Sequence, residues 1–177
     1  MAIKHGWIGR FYEDFEVGDR YIHPGGRTIT QTDNTWFTLL TCNTHPVHFD
    51  VNYASKTEFG KPLVNSTFTL ALVAGMSVPD TSQNAVANLG WTDIKLPAPV
   101  FAGDTIYADS VVLEKRESKS RPNAGIVTIK TRGYKQDGTT VIEFVRTFMV
   151  YKRDAAPRGE LDAWREQLAA SRPEGNG

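Results

Sequence analysis

One cysteine, a formal charge of zero and the lack of a long apolar run set the first limits on this chain. A single Cys in 177 residues excludes an intrachain disulfide framework and a cysteine-built zinc site. Twenty basic and twenty acidic side chains cancel without segregating along the sequence. That leaves no electrostatic footprint for nucleic acid and no basic helix for a membrane surface. The longest apolar-rich segment, residues 68–78, falls short of the ~20 residues needed to cross a bilayer. Lys4, His5 and Arg10 stand at the N-terminus without an apolar targeting core, so a cytoplasmic protein of one compact domain is expected.

The residues present fall into blocks. The first twenty are aromatic and glycine-spaced and read as an arm packed on the body. Residues 21–29 suit a strand interrupted by Pro24-Gly25-Gly26. Thr30 or Thr32 can cap a helix with Asp33 in its first turn, with Trp36, Leu39 and Leu40 lining one face, ending near Cys42. A second helix is expected over 50–57, stopping near Gly60 and Pro62. A third runs from Ser66 or Thr67 to Met76 or Val78, closed by Pro79. Its apolar residues cover nearly the whole circumference, which predicts enclosure by a curved sheet. Strands follow over 86–96, 104–114, 124–134 and 139–151, with Asp137-Gly138 as a hairpin turn. This order predicts an α+β layer, an antiparallel sheet covering helices on one face. The domain is expected to span 1–152. Beyond it come a linker at 153–159, a short helix over 160–170 carrying Leu161, Trp164 and Leu168 on one face, and a flexible tail.

The chemistry concentrates in Thr41-Cys42-Asn43-Thr44-His45-Pro46-Val47-His48-Phe49-Asp50, which holds two of the four histidines. Burying so polar a run for packing alone would leave many groups needing partners. His48 suits proton transfer near neutral pH, or a satisfied structural role. His45, His48 and Asp50 would supply three metal donors, but Pro46 breaks the helix that would align them, and no metal is expected. Asn43 is a turn residue or a group that orients water beside the imidazole. Cys42 reads as inert. Asn65, Ser66 and Thr67 put small polar side chains and free N–H groups at a helix start, which can be an ordinary cap or a place to polarise a carbonyl. Arg116, Lys119 and Arg121 offer positive charge in a polar loop, for an anionic ligand or simply for solvent.

The histidine run, the helix opening at Asn65-Ser66 and the segment Val100-Phe101-Ala102-Gly103-Asp104-Thr105 resemble the MaoC-like hydratase family. Tyr53-Ala54, the stretch 57–66, Ser120-Arg121-Pro122 and Gly125-Ile126-Val127 resemble its mesaconyl-CoA or itaconyl-CoA hydratase branch. The resemblance covers residues 15–151. It implies a hot-dog fold, an antiparallel sheet wrapped around a long helix, and reversible hydration of an enoyl-CoA thioester. Coenzyme A would then be part of the substrate, with no tightly bound cofactor. It also implies a homodimer, or an oligomer built from dimers, with the site near the boundary between subunits. His48 matches the family's histidine. Asn43 stands where that family has an aspartate, and His45 where it has an asparagine; an amide cannot act as a carboxylate base. His48 alone, His45 beside it, or Asp50 is left to do that work. Arg121 is the first choice for a substrate carboxylate. A thioesterase of the same fold and a non-catalytic acyl-CoA binding protein are the alternatives.

Overall fold

The computed structural model describes residues 6–171. Six strands form one antiparallel sheet: β1 (Arg20–Ile22), β2 (Arg27–Thr28), β3 (Ala85–Lys95), β4 (Thr105–Glu117), β5 (Ala124–Lys135) and β6 (Thr140–Tyr151), in the order β1-β4-β5-β6-β3, with β2 also on β4. The four long strands start and stop close to where their alternating apolar residues predict. Gly138, at φ +84°, makes the turn between β5 and β6.

The main helix, α3 (Ser66–Thr81), lies against the sheet with Thr69, Val73, Ser77 and Thr81 buried at four-residue intervals. Val73 packs among Ile29, Ile106, Ile142 and Phe144. Its seat is hollowed out at Gly133: a Cβ there would come within 2.6 Å of Val73 Cγ2 and 2.9 Å of Ile142 Cγ2. A second cluster holds Phe15, Tyr21, Val127 and Phe148 and anchors the N-terminal arm.

Three expectations need correction. Pro79 lies inside α3 instead of closing it. The arm receives the last carbonyls: Trp7 Nε1 donates to Pro79 O at 2.8 Å and Arg10 Nη1 to Asp80 O at 3.1 Å. The buried Arg146 donates to Thr81 Oγ1 (3.0 Å) and Ser82 Oγ (2.8 Å), placing a cation at the helix C-terminus; burial pulls this guanidinium down to about 10. Second, this chain covers α3 on one face only. Phe68, Leu70, Leu72 and Met76 are partly buried, and Ala71 and Gly75 are exposed. Third, helix α1 (Gln31–Leu40) turns Asn34 and Thr38 inward, leaving Trp36 74% and Leu40 80% exposed. Thr30 does cap it, paired with Asp33 in a capping box.

The second helix, α2 (Val51–Ala54), is shorter than expected, with Asp50 as its cap. The last, α4 (Arg158–Ala170), begins two residues early and leaves Trp164 and Leu168 exposed. The expected tail beyond 171 falls outside the described residues.

Candidate active site

The loop leaving α1 turns on Cys42, whose φ of +58° is a conformation that glycine adopts without strain. Cys42→Gly should therefore stabilise the fold by about 0.5–1 kcal/mol, read as a higher urea midpoint at unchanged slope. Asn43 follows with its amide oxygen accepting from His45 N at 3.0 Å. That bond closes a turn, and Asn43 is not among the residues lining the histidine cavity described below.

His48 is buried at the end of a short 3-10 turn over 46–48. Its Nδ1 lies 2.8 Å from the Leu63 carbonyl. A carbonyl oxygen only accepts, so Nδ1 carries the proton, and in the neutral ring Nε2 holds the lone pair. His45 has the opposite arrangement. Its Nδ1 accepts from Val47 N at 3.2 Å, so in the neutral ring Nε2 carries the proton. The two rings are 5.9 Å apart, and His45 also meets Tyr53 edge-on at 6.0 Å. Both line a cavity of about 380 Å³ with Val47, Tyr53, Thr57, Glu58, Phe59 and Leu63. One imidazole is thus set to take a proton and the other to donate a hydrogen bond.

Asp50 is not the carboxylate at this cavity. Its Oδ1 accepts from Tyr53 N at 2.9 Å, capping α2. Glu58, which the residue pattern did not single out, lines the cavity instead. Among the described residues no group of three or more His, Cys, Asp or Glu is placed to hold a metal.

A second cavity, of about 260 Å³, borders the first and shares Phe59 and Leu63 with it. Its walls are mostly apolar, from Val64 and residues 96–100, with Ser66 and Thr69 as the polar members. Here α3 begins. Asn65 Oδ1 accepts from Thr67 N at 2.9 Å and from Thr67 Oγ1 at 2.7 Å, while no described hydrogen bond takes up the N–H groups of Ser66 or Phe68. Two unpaired donors at a helix start make an oxyanion-binding end.

Asn34, fully buried, ties these parts together. Its Nδ2 donates to His48 O (2.8 Å) and to Leu63 O (3.0 Å), and its Oδ1 accepts from Asn65 N (2.9 Å). Asn65 Nδ2 in turn donates to Thr38 Oγ1 at 3.2 Å. Nothing in the local pattern of α1 marks Asn34 out, because His48, Leu63 and Asn65 lie 14 to 31 positions away.

The basic loop is elsewhere. Arg116, Lys119 and Arg121 are exposed at the β4–β5 hairpin, where Glu117 pairs with Gly125. The cavities adjoin the other end, where Leu63 bridges Phe101 and Val64 N bonds Val100 O just before β4. The thirteen residues of β4 separate the two, roughly 40 Å of strand. Within one chain Arg121 does not reach His48.

A family model described as mesaconyl-CoA hydratase matches residues 5–173. The chain belongs to that family. It is 36% identical over 148 residues to the mesaconyl-CoA hydratase of Cereibacter sphaeroides, covering 84% of this chain and 43% of that protein. A structure described as a MaoC domain protein dehydratase, from Chloroflexus aurantiacus J-10-fl, superposes with a TM-score of 0.81 at 32% identity, covering 88% of this chain and 45% of that one. Rv0216 of Mycobacterium tuberculosis, which has a double hotdog fold, matches with a TM-score of 0.75 at 19% identity over 81% of this chain and 44% of that one. The fold of this family member is thus the hot-dog, and the chain spans less than half the length of these relatives. No helix of the described residues is long and apolar enough to cross a membrane.

One further cluster has the residue types of a hydrolytic triad. His23 Nδ1 meets Asp80 Oδ2 at 2.9 Å and its Nε2 meets Ser110 Oγ at 2.8 Å. Ser110 is fully buried, bonded to Thr131 Oγ1 at 2.8 Å. With no surface open to a substrate, it clasps the end of α3 to β4 and β5.

Proposed function

We propose that this chain catalyses reversible addition of water across the double bond of an enoyl-CoA thioester, in the cytoplasm. The observation that carries the reading is the pairing of His48, its Nε2 lone pair left open, with the uncapped N–H groups at the start of α3, the two joined through Leu63 and Asn34. In the forward direction Nε2 takes a proton from water as the oxygen bonds the β-carbon. Negative charge moves to the thioester oxygen, where the Ser66 and Phe68 N–H groups stabilise it. The proton then returns to the α-carbon, so H and OH are added and nothing leaves. His45, through Nε2–H, orients the water that in the family pattern would face a carboxylate. Glu58 is the carboxylate that lines this cavity.

The substrate we infer is a short branched dicarboxylyl-CoA such as mesaconyl-CoA or itaconyl-CoA. Support comes from the named relatives, which include mesaconyl-CoA hydratases. A second copy of the chain is part of the proposal. β3 is an edge strand with Leu89, Trp91 and Ile94 exposed, as is Leu96 just past its end, and α3 has an open face. Relatives about twice as long carry further chain that could cover such surfaces. A dimer is also the arrangement in which Arg121 of one copy could serve the other's site.

The test is a panel of enoyl-CoA thioesters followed by loss of double-bond absorbance and, in parallel, by thiol release. Absorbance loss without free thiol, fastest on the branched dicarboxylyl members, is expected. Thiol release would replace the hydratase by a thioesterase, and binding without turnover would leave an acyl-CoA binding protein.

A further inference from the structure

We propose that Asn34 is the positioning residue of this site, setting both the tautomer of His48 and the spacing between the imidazole and the start of α3. This deepens the hydratase reading and rests on it for its kinetic consequence.

The argument is one of donors and acceptors. Asn34 is 0% exposed, so each polar atom of its amide needs a partner. The NH₂ group faces two carbonyls, His48 O at 2.8 Å and Leu63 O at 3.0 Å, and the oxygen faces the Asn65 N–H at 2.9 Å. Gln31 Nε2 also donates to His48 O, at 2.9 Å. The Leu63 carbonyl accepts from Asn34 and from His48 Nδ1 together. Asn34 therefore holds the backbone on which the imidazole sits and also the acceptor that fixes its proton. With its oxygen it holds the first residue before α3. A shift of α1 moves all three together, and the gap between base and oxyanion-binding end stays constant. No other uncharged side chain of this size offers two donors and an acceptor in that fork.

Asn34→Asp keeps the oxygen that receives Asn65 N–H and removes both donors. Turnover is expected to fall about 10- to 100-fold with little change in KM. The ¹⁵N shifts of the His48 ring should move from a pure Nδ1–H form towards a tautomer mixture. Thr131→Val, an equally buried polar loss in the His23 clasp, should lower stability but leave the His48 shifts alone. Should Asn34→Asp not fold, Asn34→Ser, which leaves room for water, is read the same way. In the wild type, the Asn34 side-chain amide protons should exchange far more slowly than those of exposed Asn52. Wild-type His48 shifts in a folded Asn34 variant, or fast exchange at Asn34, overturn the proposal. If the wild type hydrates no enoyl-CoA, the hydratase reading fails, while the tautomer and exchange measurements still decide the role of Asn34.

Discussion

His48→Gln should lower kcat for enoyl-CoA hydration by about 10²- to 10⁴-fold, the range for loss of a positioned acid–base group. KM should stay within a few-fold, because the side chain lost acts on the reacting proton and not on the bulk of the substrate. Glutamine is the informative replacement. Its amide can still donate to the Leu63 carbonyl as Nδ1 does at 2.8 Å, so the loop keeps its anchor while the proton acceptor is gone. A variant that folds as the wild type and turns over at the wild-type rate would remove His48 from the chemistry. The partner variant His45→Asn should cost far less, since an amide also donates a hydrogen bond to water.

The second large effect is expected at Gly133. A methyl group there meets Val73 Cγ2 at 2.6 Å and Ile142 Cγ2 at 2.9 Å, both on fully buried side chains with no room to turn aside. Gly133→Ala should cost about 1–3 kcal/mol, as overpacked cores do, and lower Tm by about 2–4 °C per kcal/mol for a chain of this size. Activity should fall as well, because lifting Val73 off the sheet tilts α3 and moves its N-terminal donors. An alanine variant with unchanged Tm would mean that α3 is seated less tightly than the packing implies.

How far the sequence discloses this structure differs by element. The long strands were legible because inward residues such as Ile142, Phe144 and Phe148 alternate with less buried ones. The start of α1 was legible because Thr30 and Asp33 cap locally. Its buried face was not. Trp36 and Leu40 promise an apolar seam, yet the interior takes Asn34 and Thr38, whose partners include Leu63 and Asn65, far along the chain. The same limit applies to Pro79: it removes the N–H that would reach the Gly75 carbonyl, yet α3 runs on to Thr81, its last carbonyls held by Trp7 and Arg10 from about seventy residues away. In the candidate site, the motif points to His48, His45 and the Asn65–Thr67 helix start, and the structure sets them around two adjoining cavities. Asp50 was not separable from Glu58, because the path of the loop alone decides whether a carboxylate caps a helix, as Asp50 does, or faces a cavity, as Glu58 does. Arg121 was named for its charge and for the resemblance carried by Ser120-Arg121-Pro122, and neither tells which end of a hairpin it occupies.

The acceptor for His48 Nδ1 belongs to the main chain of residue 63, while the side chain of that residue lines both cavities. Under the hydratase proposal, protonation chemistry and acyl fit then fall to different atoms of one residue. Substitution at position 63 can reshape the chamber for a bulkier or smaller acyl group and leave the carbonyl where it was. An evolving lineage, or an engineer, can explore new substrates there without retuning the base.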